Sequence, residues 1–255
     1  MNLGNPIAIG NTAKIYLYDN KIVKVFKKHF PNTESFYEAK KQEYAYSCGL
    51  HVPKVIEVTE INGRQVIIME YAKGETVGEL LMNDMGRAEH YIKICVDVQK
   101  KVHGVVVDSS ILESMLKRLQ RQIESVQCIG EGQKDILLKK LDSMVFEPRL
   151  CHGDLHPFNL IMGQDSVNII DWVDASAGDI RADIYRTYLL YAQSSVELAE
   201  MYLRIYCKNT SLTKDEVLEW APIIAGARLS EHVPSEDRER LKNVVDKYCN
   251  QVDMR

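Results

Sequence analysis

Three polar side chains in the middle of the chain could do chemistry together: Asp154, Asn159 and Asp171. The first two have the spacing D-x-x-x-x-N, and the apolar residues 160–170 predict a hairpin that returns Asp171 to the side of Asn159. Carboxylate and amide oxygens are hard ligands, which Mg²⁺ prefers beside phosphate oxygens and water. The three residues therefore predict a site for magnesium-assisted phosphoryl transfer.

Phosphoryl transfer gives each of these residues a separate task. Asp171 would be the main carboxylate ligand of the metal, and Asn159 would add a neutral oxygen. Asp154 would accept or orient the proton of the attacking hydroxyl, which must lie in line with the leaving oxygen. Asp and Asn also cap turns, so the spacing alone is a weak signal. The neighbouring His152 and His156 are better explained as structural or orienting residues, because the mechanism already has a base.

Composition bounds the class of protein. The chain has 255 residues, of which 45% are hydrophobic and 27% charged, and its formal net charge is -4. These values indicate a globular protein and give no basic signature of nucleic-acid binding. The six cysteines form no C-x-x-C pair. The first residues lack a signal-peptide pattern and no apolar run approaches ~18 residues, so we expect a cytoplasmic protein without a membrane partner.

The order of predicted elements indicates an α+β protein. Strand-like runs at 13–18 and 21–26 surround an Asp-Asn turn, a helix is predicted over 33–46, and strands at 55–59 and 65–70 surround an Asn-Gly turn. After Gly74 the pattern is helical, interrupted by a strand-rich island at 150–171. We therefore expect two lobes, residues 1–72 for nucleotide binding and residues 73–255 for catalysis and acceptor binding.

Later helices are predicted from the apolar periodicity of the second half. They are expected at 89–103, 111–126, 135–144, 183–191, 196–206, 214–225 and 237–248.

Residues 152–159 match the H-G-D-x-H-x-x-N signature of the aminoglycoside-phosphotransferase and choline-kinase-like family, which the chain also resembles in length and order of elements. The resemblance implies a bilobal protein-kinase-like fold, with an N-terminal antiparallel sheet carrying one helix and a mainly helical C-terminal lobe. It also implies Mg²⁺ and ATP or GTP as co-substrate. The expected reaction is phosphorylation of a hydroxyl of a small molecule, either an aminoglycoside or a metabolite.

The same resemblance implies a nucleotide-binding set. Lys24, in a strand similar to the kinase V-A-I-K strand, would hold the phosphates. Glu38 would be its ion-pair partner, with Glu43 as the alternative. The remaining members are the nucleotide-covering turn and two backbone positions for the adenine edge: Gly10, Asn11 and Thr12, then Glu70 and Ala72. The turn has one glycine only, so an ordinary turn is an equal alternative.

Further residues are implied in supporting and acceptor roles. Asp179 suits a helix N-cap, and Asp183 would support the catalytic loop together with His152. The acceptor candidates are Asp174, Arg228 and Glu231, although acidic helix faces are usually just solvated.

Two other functions compete with a small-molecule kinase. A protein kinase is disfavoured because no A-P-E-like segment or activation loop follows Asp171. A nucleotide-binding pseudokinase scaffold is disfavoured because Lys24, Asp154, Asn159 and Asp171 are all present. The sequence leaves open the acceptor, the choice between ATP and GTP, and the oligomeric state.

Overall fold

An antiparallel sheet with one helix forms the N-terminal part of the protein. The computed structural model describes residues 3–10, 12–28, 31, 33–107, 111–231, 233 and 236–253. The sheet has the strand order β1-β2-β3-β5-β4. Its strands are β1 (Ala8–Ile9), β2 (Ala13–Tyr18), β3 (Lys21–Phe26), β4 (Val55–Ile61) and β5 (Arg64–Glu70), and helix α1 (Glu34–Ser47) lies between β3 and β4 in the chain.

Two tight hairpins in this sheet are confirmed where the sequence predicts them. Asp19 and Asn20 have φ of 49° and 55°, and Asn62 and Gly63 have φ of 50° and 70°. Positive φ at both central residues is the requirement of the two-residue turn whose twist matches antiparallel strands. The first turn joins β2 to β3 and sets the register that places Lys24 opposite Ile15.

The central strands β3 and β5 have buried residues on both faces of the sheet, because successive side chains of a strand point to opposite faces. On one face Phe26, Ile67 and Met69 pack with Ala39 of α1. The residues between them along the strands, such as Val66, form a second cluster on the other face. Lys24 lies two residues before Phe26, so its side chain leaves the strand on the face that α1 covers.

Sixteen further elements complete the described chain. They are β6 (Glu75–Thr76), α2 (Val77–Asn83), a 3₁₀ turn (Met85–Arg87), α3 (Ala88–His103), α4 (Met115–Ser125), α5 (Glu131–Asp142), β7 (Arg149–Cys151), a 3₁₀ turn (Pro157–Asn159), β8 (Leu160–Met162), β9 (Val167–Ile169), β10 (Ser176–Gly178), α6 (Ile180–Ala192), α7 (Val196–Lys208), α8 (Lys214–Leu218), α9 (Ala221–Arg228) and α10 (Arg238–Asp253).

The chain divides into two compact units. The first unit comprises Met1–Met85 and Pro157–Asp174, and the second comprises Gly86–His156 and Ala175–Arg255. Asn159 and Asp171 thus belong to the same unit as Lys24, whereas Asp154 belongs to the second. The functional division after residue 72 stays a prediction. Within the described residues, no helix has both the length and the apolar character needed to cross a bilayer.

One predicted helix is wrong in its extent. Residues 214–225 form two helices, α8 and α9, which are interrupted at Glu219 and Trp220. Pro222 lies in the first turn of α9, where its missing N–H costs no hydrogen bond, so it starts a helix rather than continuing one. Helix α2 is not predicted from the sequence, because seven residues are too few to display helical periodicity.

Candidate active site

Lys24 forms a buried ion pair with two carboxylates of the first unit. Its ammonium lies 2.6 Å from Glu38 Oε1 and 2.9 Å from Asp171 Oδ1. Burial lowers the pKa of Lys24, but the charges and hydrogen bonds of Glu38 and Asp171 raise it more, so the net shift is upward and the ammonium stays charged. Burial and then the charge of Asp171 raise the pKa of Glu38, although the charge and hydrogen bond of Lys24 lower it, and the net shift is upward.

Asp171 is the most exposed member of this cluster. Its side chain is 39% exposed, against 7% for Lys24 and 1% for Glu38. Its φ of 64° is left-handed, a conformation that costs energy in residues other than glycine and concentrates at functional sites. This backbone conformation therefore points the Asp171 carboxylate in a direction different from that of a residue with extended backbone at the same position.

The segment around Asp171 is held by neighbours within the same unit. The buried Trp172 donates its indole N–H to the carbonyl of Ile169 at 3.2 Å. The ammonium of Lys41, on α1, donates to the carbonyl of Val173. Lys41 lies three residues after Glu38, so α1 contacts both Lys24 and the segment that carries Asp171.

Asn159 is brought beside the same segment by the predicted hairpin. Strands β8 and β9 pair antiparallel, and the N–H of Ile170 donates to the carbonyl of Asn159 at 3.0 Å. Asn159 is 7% exposed and ends the 3₁₀ turn. The preceding ring, that of Phe158, lies against Gly78, where an added Cβ would come within 2.6 Å of it. Because Gly78 has no side chain, the ring of Phe158 in the 3₁₀ turn can pack directly against α2.

Asp154 follows β7 in the second unit and is surrounded by positive or titratable groups. Its Oδ2 lies 3.6 Å from His156 Nε2, and its side chain is 25% exposed. Burial raises the pKa of Asp154. The hydrogen bond and charge of His156 and the charges of Arg186 and His152 lower this pKa by more, so the net shift is downward. Asp154 is therefore ionised at neutral pH and can accept a hydrogen bond from a hydroxyl.

A buried polar network supports the loop before Asp154. Asp183 accepts from the N–H of Gly153 at 2.7 Å, from Gln99 at 3.1 Å and from His103 Nε2 at 2.8 Å. His103 Nδ1 lies 2.7 Å from the Tyr206 hydroxyl. With that hydroxyl as the donor, His103 carries its proton on Nε2, and this N–H donates a hydrogen bond to Asp183. Burial raises the pKa of Asp183, but these hydrogen bonds, led by that of His103, lower it to about 2.

Replacing Asp183 by Asn is expected to destabilise the protein by about 3 kcal/mol at neutral pH, because the Asn amide places an N–H donor against buried donors from which the carboxylate accepts. Since the pKa of Asp183 is lowered to about 2 in the folded state, against about 3.9 in an unfolded chain, its contribution is present above about pH 4 and lost as the pH falls towards 2. Urea unfolding of both proteins should therefore show a stability difference that narrows below about pH 4.

The control for that experiment is Asp135→Asn, which changes an exposed aspartate of α5. It should leave the free energy of unfolding within about 0.5 kcal/mol of wild type. A difference between wild type and Asp183→Asn that does not vary with pH would contradict the ionised state assigned to Asp183.

Asp179 supports the same helix at its start. It is the N-cap of α6, where its Oδ1 accepts from the N–H of Arg181 at 2.8 Å, and its Oδ2 accepts from the indole of Trp220 at 3.0 Å. It is 2% exposed. The predicted N-cap is confirmed, and it fixes the helix that carries Asp183.

The predicted nucleotide-covering turn is described only in part. Gly10 donates its N–H to Ala13 at 2.9 Å, and Thr12 accepts from Lys27 at 2.9 Å. Asn11 lies outside the described residues. Glu70 ends β5, and Ala72 follows two residues later. Contacts of these residues with a nucleotide stay a prediction.

Two acceptor candidates are occupied by protein partners. Arg228, 3% exposed, pairs with Glu231 at 2.8 Å and also with Glu236. Glu231 accepts from Arg186 as well. These contacts do not favour an acceptor role for either residue. Asp174 is half-buried at the end of the first unit, and its role stays a prediction.

Sequence reasoning missed several supporting side chains. Gln99 and His103 lie four and eight residues after Cys95 on the buried face of α3. Two polar residues on an apolar face indicate a buried hydrogen-bond network, and this sequence signal could have identified them. Arg186 and Lys41 had no such signal, because their partners are distant in sequence.

Family membership follows from a match of the chain to the family model described as "phosphotransferase enzyme family" (APH), over residues 5–220. The chain belongs to this family and is a small-molecule phosphotransferase. A search among curated proteins gave no significant match.

Solved structures agree in fold. A thermostable mutant of aminoglycoside phosphotransferase APH(4)-Ia, in ternary complex with ADP and hygromycin B, is 12% identical with a TM-score of 0.69, over 96% of this chain and 92% of that one. A choline/ethanolamine kinase family protein from Mesorhizobium loti is 15% identical with a TM-score of 0.65, over 97% and 86%. ADP-bound APH(2'')-Ib is 17% identical with a TM-score of 0.61, over 96% and 90%. The predicted α+β, protein-kinase-like fold is confirmed.

Proposed function

We propose that this protein transfers the γ-phosphate of ATP or GTP to a hydroxyl of a small molecule in a magnesium-dependent reaction in the cytoplasm. The observation that carries the proposal is the ion pair of Lys24 with Glu38 and Asp171. Glu38 fixes an ammonium that stays charged although it is buried. Such a lysine is suited to phosphate oxygens, as in the kinases whose strand it resembles.

The donor set near Lys24 fits a magnesium ion. Asp171 offers a half-exposed carboxylate and Asn159 an amide oxygen, and both are hard ligands. We assign the metal to Asp171 and Asn159. Bound magnesium would neutralise charge on the phosphate oxygens of the nucleotide.

Asp154 is assigned to the acceptor. Its lowered pKa makes it a weak base, so its main task is to orient the hydroxyl by accepting a hydrogen bond. The hydroxyl oxygen forms a bond to the γ-phosphorus, the bond to the leaving nucleoside diphosphate breaks, and the hydroxyl proton passes to Asp154. His152, Asp179 and Asp183 position this loop without touching the reacting atoms.

The remaining assignments follow the family resemblance. The turn of Gly10, Asn11 and Thr12 would cover the phosphates, and the backbone of Glu70 and Ala72 would bind the base. For the acceptor, two classes deserve equal testing. The APH(4)-Ia neighbour is a complex with the aminoglycoside hygromycin B, whereas the second neighbour belongs to a choline/ethanolamine kinase family.

The test is a phosphotransfer screen with Mg²⁺ and γ-labelled ATP or GTP against aminoglycosides, amino alcohols and sugars. We expect label to appear on at least one acceptor, and Lys24→Met to lower that rate by about 100-fold or more, because it removes the phosphate-binding charge. Tight nucleotide binding with no transfer to any acceptor would favour the scaffold alternative. Label on a peptide substrate would favour a protein kinase.

A further inference from the structure

We propose that Arg186 is a positioning residue for Asp154, and that Glu231 orients Arg186 instead of binding the acceptor. The proposal rests on the proposed role of Asp154. It concerns the catalytic loop, which we define as residues 152–154.

The catalytic loop is held through its peptide groups. Gly153 has φ of 80°, a left-handed conformation that suits glycine. The peptide between Gly153 and Asp154 is bonded at both ends, because its carbonyl accepts from Arg186 Nε at 3.1 Å and its N–H donates to His152 Nδ1 at 3.3 Å. The preceding peptide donates its N–H to Asp183 at 2.7 Å. Three hydrogen bonds thus fix the two peptide planes that lead into Asp154.

Two of these three bonds come from one face of α6. Asp183 and Arg186 are three residues apart, so they lie together on the helix surface. Asp183 bonds the N–H of Gly153 and Arg186 bonds its carbonyl. A helix that is capped at its start by Asp179 therefore holds Gly153 from both sides.

The guanidinium of Arg186 is itself fixed by Glu231. The two side chains form a bidentate pair, with Nη1 2.9 Å from Oε1 and Nη2 2.8 Å from Oε2. This fork geometry sets the plane of the guanidinium and so the direction of Nε. A lysine could not reproduce it, because an ammonium is a point donor on a flexible stem.

Glu231 has little capacity left for a substrate. Besides Arg186, its Oε2 accepts from Arg228 at 2.8 Å and its Oε1 accepts from Gln122 at 3.1 Å. A carboxylate has about four acceptor positions, and these contacts occupy them. Burial raises the pKa of Glu231, but Arg186 and then Arg228 lower it more, so this carboxylate is the counter-ion of Arg186 and of the buried Arg228.

Arg186 also contributes charge at Asp154. The groups that face this carboxylate are His156, Arg186 and His152, and each lowers its pKa. Of the three, only the arginine carries its charge at every pH at which the protein is folded. It therefore both directs the loop and stabilises the ionised form of Asp154.

The kinetic test compares Arg186→Lys, Arg186→Met and Glu231→Gln with the exposed control Arg204→Met. We expect kcat to fall about 10-fold for Arg186→Lys and about 100-fold for Arg186→Met, with KM for the nucleotide unchanged, because a shift of the loop misplaces Asp154 alone. Glu231→Gln should lower kcat several-fold, leave KM for the acceptor within about twofold, and add little in the Arg186→Met background. A rise of about 10-fold in acceptor KM for Glu231→Gln, or wild-type kcat for Arg186→Met, overturns the proposal.

A second measurement does not depend on turnover. Amide hydrogen exchange of a peptide covering residues 152–155 should be faster by about 10-fold in Arg186→Met and Arg186→Lys than in wild type or Arg204→Met. Unchanged exchange in the lysine variant, which retains the charge and is the variant better able to fold, overturns the positioning role. If wild type transfers no phosphate to any acceptor while exchange behaves as expected, the proposed function fails and the positioning of the loop stands.

Discussion

Asp154→Asn is expected to lower kcat by about 10³-fold while the affinity for the magnesium–nucleotide complex stays unchanged. Asn has nearly the same shape but cannot take a proton and offers a weaker acceptor to the hydroxyl. Asp154 lies in the second unit, whereas Lys24, Glu38, Asn159 and Asp171 lie in the first. Steady-state kinetics with saturating nucleotide measures the effect.

Asp135→Asn is again the matched control, because Asp135 is an exposed aspartate of the second unit. It should have wild-type kcat. A parallel loss of nucleotide affinity in Asp154→Asn would contradict the assignment of this carboxylate to the acceptor.

Asp171→Asn is expected to lower turnover by about 10³-fold and to weaken the response to Mg²⁺, because it removes the one half-exposed carboxylate of the Lys24 cluster. Asn is the informative replacement, since it tolerates the left-handed φ of 64° better than Ala does. The variant thus removes charge without adding backbone strain. Turnover of wild type and Asp171→Asn, measured as a function of Mg²⁺ concentration, tests this expectation.

Asp165→Asn is the control for the metal role, because Asp165 is exposed in the loop of the same β8–β9 hairpin. It should show the wild-type magnesium response. If Asp171→Asn also kept that response, the carboxylate would have no part in holding the metal.

The sequence predicted most of the first unit because its signals are local. The residue types Asp-Asn and Asn-Gly in the two hairpin turns predict the positive φ angles that the structure has there. The choice between Glu38 and Glu43 came from the structure, in which the buried face of α1 includes Glu38 but not Glu43. The hairpin that brings Asn159 to Asp171 follows from apolar patterning and short chain separation.

The second unit was predicted less well because its site depends on distant packing. Arg186 and Glu231 are 45 residues apart, and no spacing rule joins them. Glu231 was predicted as an acceptor contact from its charge, yet the structure surrounds it with Arg186, Arg228 and Gln122. The charge of a residue does not distinguish a substrate ligand from a counter-ion of the protein. That distinction depends on which other side chains contact the residue in the folded structure.

Titration calorimetry of the magnesium–nucleotide complex into wild type, Asp154→Asn and Asp171→Asn tests whether Asp171 holds the metal while Asp154 serves the acceptor. We expect Asp154→Asn to bind as wild type does, and Asp171→Asn to lose the part of the affinity that depends on Mg²⁺. Equal binding by all three proteins, or loss in Asp154→Asn with binding retained in Asp171→Asn, would contradict this division of roles.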